Sequence, residues 1–395
     1  MKKILIYLAA ILCVSLSARA VDETMNPLIT AMPSLSIAPD ARAAGLGDIG
    51  VATEADYNAQ FWNPAKYAYL STNGGITANY TPWLRKLVSD IDLAYLAGFY
   101  NFGDLGGGIG ASFTYFSMGD VALTDAQGQK IQDVRPNEWA LDLSYFRKLH
   151  EYVSMSVAVR FLYSDLNNGY NSSTSGGTEM HPAWTMAADI ALYYRQPFEL
   201  KSGTSHFTLG FSLKNLGGKM NYADDGSSNF IPASMNIGAG YEIPLNKYNF
   251  LTLNLEANKM LVPSRYSKFA PDQTTGRYTQ EEYSALNPAK GWFQSFADAP
   301  GGSKEELAEV RWGAGIEYSY NKQFFARVGY SNENYYKGNR NYVTFGAGFH
   351  LSIVSLDISY CVGLAASNPL DQTMRFTLGF DLAGIKDIVD NKKNK

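Results

Sequence analysis

Three groups of residues have types and spacings that could do chemistry. Gly45-Leu46-Gly47-Asp48-Ile49-Gly50 spells G-x-G-x-x-G, which cradles a dinucleotide pyrophosphate when it joins a strand to a helix N-terminus. No β-rich run precedes Ala41 and no parallel α/β pattern follows, so these glycines point to close backbone packing instead. The chain has four histidines, His150, His181, His206 and His350, and a Ser–His pair oriented by an acid would give a hydrolase. His150 and His181 fall in connections and His206 and His350 at strand ends, and His350 shares its face with Gly346 and Gly348. With so few His and Cys there is no metal-ligand cluster. Residues 221–229, with Asp224-Asp225, could hold a calcium ion or form a solvated acidic loop. The expectation is a chain with no catalytic residue, no cofactor and no metal, and therefore not an enzyme.

The elements that must position any site are strands. Val153, Met155, Val157, Val159, Phe161 and Tyr163 alternate with Ser154, Ser156, Ala158 and Arg160; Leu251, Leu253 and Leu255 alternate with Thr252, Asn254 and Glu256. Period two with one apolar face marks a strand, and runs of about ten residues cross a bilayer when tilted. Fourteen such runs occur, near 74–80, 91–100, 106–117, 136–147, 152–163, 184–195, 206–214, 233–243, 249–260, 310–320, 323–331, 340–351, 353–364 and 373–382. Connections after even-numbered runs are short; those after odd-numbered runs are longer, notably 118–135, 164–183, 215–232 and 261–309. That parity is the signature of a membrane barrel with tight periplasmic turns and long external loops. Composition agrees: 27 Tyr, 21 Phe and 36 Gly accompany only 18% charged residues, against about 25% in soluble domains.

Lys2 and Lys3, an apolar run and Ala18-Arg19-Ala20 read as a secretory signal over residues 1–20. Its removal takes the formal net charge from −4 to −7 and argues against nucleic acid as a partner. The fold class expected is all-β, a transmembrane antiparallel barrel over 74–382, with both termini periplasmic and a polar tail over 383–395. The polar faces of the runs collect Asp142, Arg160, Asp189, Arg195, Glu256, Arg311, Glu317, Arg327, Asp357 and Arg375. An arginine facing lipid costs roughly 2–4 kcal/mol, so these must line the interior, as a bracing network or as a substrate path. Residues 21–73 do not alternate and must bury Phe61 and Trp62. A lumen of this strand number can take them, the alternative being a loosely ordered periplasmic leader.

Ala41-Arg42-Ala43-Ala44-Gly45-Leu46-Gly47-Asp48, followed by Phe61-Trp62-Asn63-Pro64-Ala65 ahead of a Tyr- and Gly-rich barrel, resembles the FadL-type transporters, and within them the PorV family of the Bacteroidetes type IX secretion system. The resemblance spans essentially the whole mature chain. It implies that 21–73 is a hatch inside the barrel, with Asn63, Pro64 and Ala65 as its N-P-A motif. It also implies a non-enzymatic outer-membrane protein that binds the C-terminal signal domain of secreted cargo. Its other implied partners are the translocon barrel, the surface attachment complex with its sortase, and outer-membrane lipid. Fatty-acid transporters and the PorQ proteins share much of this pattern, so carriage of an amphipathic small molecule is the alternative function.

The longest connection, 261–309, contains Phe269, Tyr278, Tyr283, Trp292, Phe293 and Phe296, and two capping-box patterns, Thr279-x-x-Glu282 and Ser303-x-x-Glu306. A loop of this length with its own aromatics is commonly functional, and aromatics dominate protein interfaces. These six residues are the candidate partner-binding surface, unless they pack inward and cap the barrel.

Overall fold

A computed structural model describes residues 25–103, 106–124, 127–168, 180–351, 353–364, 368 and 370–385. The signal segment 1–20 and most of the 383–395 tail lie outside the described residues. Fourteen antiparallel strands close into one barrel: β1 (Gly74–Pro82), β2 (Asp92–Asn101), β3 (Gly108–Ser117), β4 (Asn137–His150), β5 (Val153–Asp165), β6 (Ala183–Leu200), β7 (Gly203–Gly217), β8 (Ser234–Pro244), β9 (Asn249–Met260), β10 (Arg311–Tyr320), β11 (Phe324–Asn332), β12 (Tyr342–His350), β13 (Val354–Gly363) and β14 (Met374–Asp381). Each pairs with its sequence neighbours, and β1 closes on β14 from Gly75 opposite Asp381 to Tyr80 opposite Phe376. All fourteen alternating runs are strands of this ring.

Alternation sets the two faces. Leu141, Leu143, Val157, Val159, Ile316 and Phe345 are exposed around the outside, while Asp142, Ser144, Arg160, Asp189, Glu317 and Arg327 are buried inside. An apolar exterior over a charged interior is the reverse of a water-soluble barrel and suits a lipid solvent. No described helix is long and apolar enough to cross a membrane.

Three features escaped the sequence pattern. β6 and β7 run several residues past their expected short-turn ends, because residues 197–200 are exposed on both faces and carry no apolar period. The 118–135 connection contains a hairpin, Val121–Thr124 paired with Lys130–Val134. Lys219–Met220 pairs with Asn229–Phe230 in the next long connection but one. Both outer hairpins are too short and too polar to register as strands.

An arginine placed at Leu143, near the middle of β4 and opposite Val159, should cost roughly 2–4 kcal/mol in reversible unfolding from liposomes. The inward neighbour Ser144→Ala should cost less than half as much.

Candidate functional site

Residues 25–73 run through the barrel from one mouth to the other. Asn26 donates its N–H to Tyr336 O at 3.2 Å and its Nδ2 to Tyr266 O at 3.3 Å, both in long connections. Ala31 N–H donates to Phe230 O at 2.8 Å. At the other end Tyr69 reaches Glu151 O in a short turn, and Thr72 Oγ1 donates to Asp381 at 2.6 Å. The described chain therefore starts at the long-loop mouth and ends, at Ile385, near the short-turn mouth. The two termini themselves, expected on one side, lie outside the described residues.

Midway, helix α1 (Ala41–Gly45) is capped by Asp40, which accepts from Ala43 N and Trp62 Nε1 at 2.8 and 2.7 Å. α1 carries Arg42 into the centre of an ion-pair chain. Arg42 donates to Glu317 at 2.9 and 3.1 Å and to Asp56 at 2.8 Å. Glu317 also accepts from Arg327 at 2.6 Å, Arg327 donates to Asp357 at 2.6 Å, and His350 Nε2 lies 3.1 Å from Asp357. On the opposite wall Arg160 bridges Asp142 and Asp189. Glu256 accepts the backbone N–H groups of Gly50 and Val51 at 2.8 and 2.9 Å, and Arg195 pairs with Glu54 at 3.0 Å. The inward charges thus brace wall to wall and wall to lumenal segment. Arg311 instead lines a cavity.

Where the backbone of this segment comes closest to the wall, the wall carries glycine. A Cβ on Gly329 of β11 would lie 2.1 Å from Gly47 N, and one on Gly210 of β7 would lie 2.1 Å from Val51 O. Gly47 itself has φ +88° and sits against the Tyr330 backbone, so two glycines of the fingerprint-like run, Gly45 and Gly47, serve backbone-to-backbone approach. Gly45 ends α1 rather than opening a helix, so no helix N-terminus faces a ligand there.

Asn63, Pro64 and Ala65 fix the lower half. Asn63 Nδ2 donates to Val51 O at 3.1 Å and Leu192 O at 2.9 Å, and its Oδ1 accepts from Ala65 N at 3.1 Å. Pro64 starts the 3-10 turn Pro64–Tyr69, and Ala65 O accepts from Ser154 Oγ at 2.7 Å. Trp62 is buried, and Phe61 lies under the ammonium of Lys214, 3.9 Å from the ring centre.

Two cavities flank the segment. One, of about 400 Å³ toward the long loops, is lined by Leu28, Ile29, Phe61, Trp62, Lys214 and Arg311 among others. The other, of about 290 Å³ toward the short turns, is lined by Arg42, Glu54, Tyr57, Lys322, His350 and Asp357 among others. Among the described residues they share no lining residue. Strand register sets Ser355 opposite His350, a juxtaposition the sequence did not reveal. The His350 ring is held by Asp357, and among the described residues no serine hydroxyl bonds it.

The long connection 261–309 is folded. The lumenal segment has a second short helix, α2 (Ala59–Trp62), and this connection has three: α3 (Gln280–Ala285), α4 (Pro288–Gln294) and α5 (Ser303–Ala308). The Thr279–Glu282 capping box is formed in both directions. The one expected at Ser303 is not: Gly302 occupies the cap, and the Glu306 carboxylate goes to Ala299 N and Lys259. α4, capped by Asn287 with Pro288 in its first turn, was not anticipated. Of the six candidate aromatics, Tyr278 and Tyr283 are buried with Phe230, Val262 and Ala270. Phe269, Phe296 and above all Phe293, 78% exposed, face solvent, and Trp292 is half-buried. Leu307, 73% exposed on α5, joins them. Lys219 ties this fold down, donating to Tyr283 O at 2.7 Å and Ser284 O at 3.0 Å, and burial lowers its pKa to about 8. Three carboxylates converge here, those of Asp298, Glu306 and Glu309, with oxygens within 4.8 Å of one another, and the ammonium of Lys259 pairs with two of them.

A family model described as type IX secretion system protein PorV matches residues 20–267, more than half of the chain. The chain belongs to the PorV family. With the closed, apolar-faced barrel, membership makes it an outer-membrane protein of type IX secretion. In solved structures, the PorV-family barrel is similar to the toluene transporter TodX of Pseudomonas putida (12% identity over 90% of this chain and 98% of that one, TM-score 0.49). It is also similar to the toluene transporter TbuX of Ralstonia pickettii (10%, 89% and 99%, TM-score 0.48) and a Pseudomonas aeruginosa FadL homologue (12%, 90% and 99%, TM-score 0.42). The closed barrel is established by its own strand pairing. No curated protein matches.

Arg42→Ala leaves Asp56 without its ion pair and Glu317 with only Arg327, and breaking a buried pair from one side costs roughly 3–5 kcal/mol. The barrel should remain folded while amide exchange over 40–60 speeds up and ion conductance in planar bilayers rises. Gly329→Val should give the same phenotype by steric conflict with Gly47.

Proposed function

We propose that this chain is a non-enzymatic carrier that binds the C-terminal signal domain of secreted cargo and passes it from the translocon to the attachment complex with its sortase. Family membership carries this reading. The folded outer connection supports it: its own core leaves Phe293, Phe296 and Leu307 free to meet a partner. In this orientation the long loops face the exterior, the short turns face the periplasm, and residues 25–73 act as a hatch. Aromatic side chains on a rigid support are the anchors that protein interfaces favour.

The expected result of the triple change Phe293→Ser, Phe296→Ser and Leu307→Ser is a folded, heat-modifiable barrel that leaves cargo undelivered. Normal surface delivery would remove this face from the mechanism. Ser355→Ala should leave secretion unchanged, since a carrier needs no nucleophile beside His350. The alternative, carriage of an amphipathic small molecule, is favoured by the 400 Å³ cavity, where Leu28, Ile29 and Phe61 meet Lys214 and Arg311. A long-chain acid that quenches Trp62 fluorescence in wild type and not in Lys214→Met would support it, and no quenching in wild type would sink it.

A further inference from the structure

The pieces that close the long-loop mouth meet in one buried cluster of charges. Lys259, at the end of β9, donates to Glu306 at 3.0 Å and to Glu309 at 2.6 Å. Lys337, in the β11–β12 connection, donates to Glu305 at 2.6 Å and to Glu309 at 3.0 Å. Asn26 Nδ2 donates to Glu305 at 3.0 Å, so the start of the lumenal segment hangs on the same cluster. Asp298 completes it, which sets four carboxylates against two ammonium groups. A buried charge excess of that kind calls for a proton or a cation.

A metal ion fits poorly. Lys259 already bonds both Glu306 and Glu309, and their remaining oxygens accept from Ala299 N at 2.8 Å, and from Lys337 and Ser264 Oγ at 3.0 and 3.3 Å. One oxygen is left over. Asp298 Oδ1 is buried without a hydrogen-bond partner, while Oδ2 accepts from Ser264 N at 2.7 Å. A carboxyl proton on Asp298 would lower the excess from two negative charges to one and give the orphan oxygen a role.

We propose that Asp298 is a proton-operated pin for the outer mouth: its protonated carboxyl lets the cluster hold α5, β9, the β11–β12 connection and Asn26 together, and ionisation loosens them. The groups facing it are Glu306 and Glu309 from α5 and its cap, Lys259 from β9, and the phenols of Tyr278 and Tyr283 from within the loop. Burial, with Glu309 and Glu306 adding to it against Ser264 N–H and Lys259, pushes Asp298 from its ordinary 3.8 up to about 7. The closed mouth therefore holds more protons than the open one between those values. Closure is strongest at the acid end of that window, is lost as pH rises toward 7, and changes no further above it.

The test is hydrogen exchange of the α5 amides in the full chain in detergent micelles from pH 5 to 8.5, corrected for intrinsic rates. The opening constant of wild type should rise by up to about tenfold per pH unit and level off near 7. Asp298→Asn should be flat and protected at pH 8.5, with heat-modifiable migration reporting an intact barrel. Lys259→Met, which removes a cation, should move the levelling point above that of wild type. A wild-type profile without slope, an Asp298→Asn profile parallel to wild type, or an unmoved levelling point in Lys259→Met would each overturn the proposal.

Discussion

A closed ring of fourteen strands encloses more space than inward side chains can fill, and the rest of the molecule answers that constraint. The chain uses its own first segment as the filler. Filling by a separate segment requires backbone to approach backbone, since a helix or turn with side chains on every side would not fit against a wall that also bears them. Gly329 beneath Gly47 and Gly210 beneath Val51 show how the wall yields at the contact points. Elsewhere the wall keeps long charged side chains, and these span the remaining distance.

Charge then locks what shape has placed. Arg42 is the only link from α1 into the Glu317–Arg327–Asp357 chain among the described ion pairs, and it receives compensation from both sides: Asp56 within the segment and Glu317 on the wall. A buried pair is a poor source of net stability compared with apolar packing, yet it penalises any arrangement that separates its members. That is the property a plug needs. The glycine contacts permit several sliding positions of a smooth backbone, whereas the Arg42–Glu317 geometry and the two N–H groups on Glu256 admit one.

The barrel was legible because lipid outside and water or protein inside impose strict alternation, so the face of Arg160 or Glu317 follows from parity alone. Capping chemistry at Thr279 was legible for a similar local reason. What lay beyond reach depended on contacts distant in sequence. Nothing near Ser303 signals that Glu306 is claimed by Lys259, and nothing near Lys337 signals its hold on Glu309. The candidate aromatics divide for the same reason: Tyr283 finds Phe230 from another connection and is buried, while Phe293, of like chemistry and ten residues away, finds no cover. The path of residues 25–40 up the lumen was equally hidden, because it rests on isolated bonds such as Asn26 to Tyr336 rather than on a periodic pattern.

These arrangements make the two mouths unequal. At the short-turn end the lumenal segment leaves through Asn63, Ala65 and Thr72, each bonded directly to a barrel strand, so that end moves only with the barrel. At the long-loop end Asn26 bonds not to a strand but to Tyr266, Glu305 and Tyr336, all in connections. A partner that shifts the 261–309 fold therefore pulls first on the start of the lumenal segment. Strain entering at Asn26 meets Ala31 on Phe230 and Ser34 on Glu138 before it reaches α1, and the Arg42 ion pairs are where it must stop if the lumen is to stay filled. A barrel anchored at one mouth and compliant at the other can rearrange its long-loop surface without opening a hole through the ring.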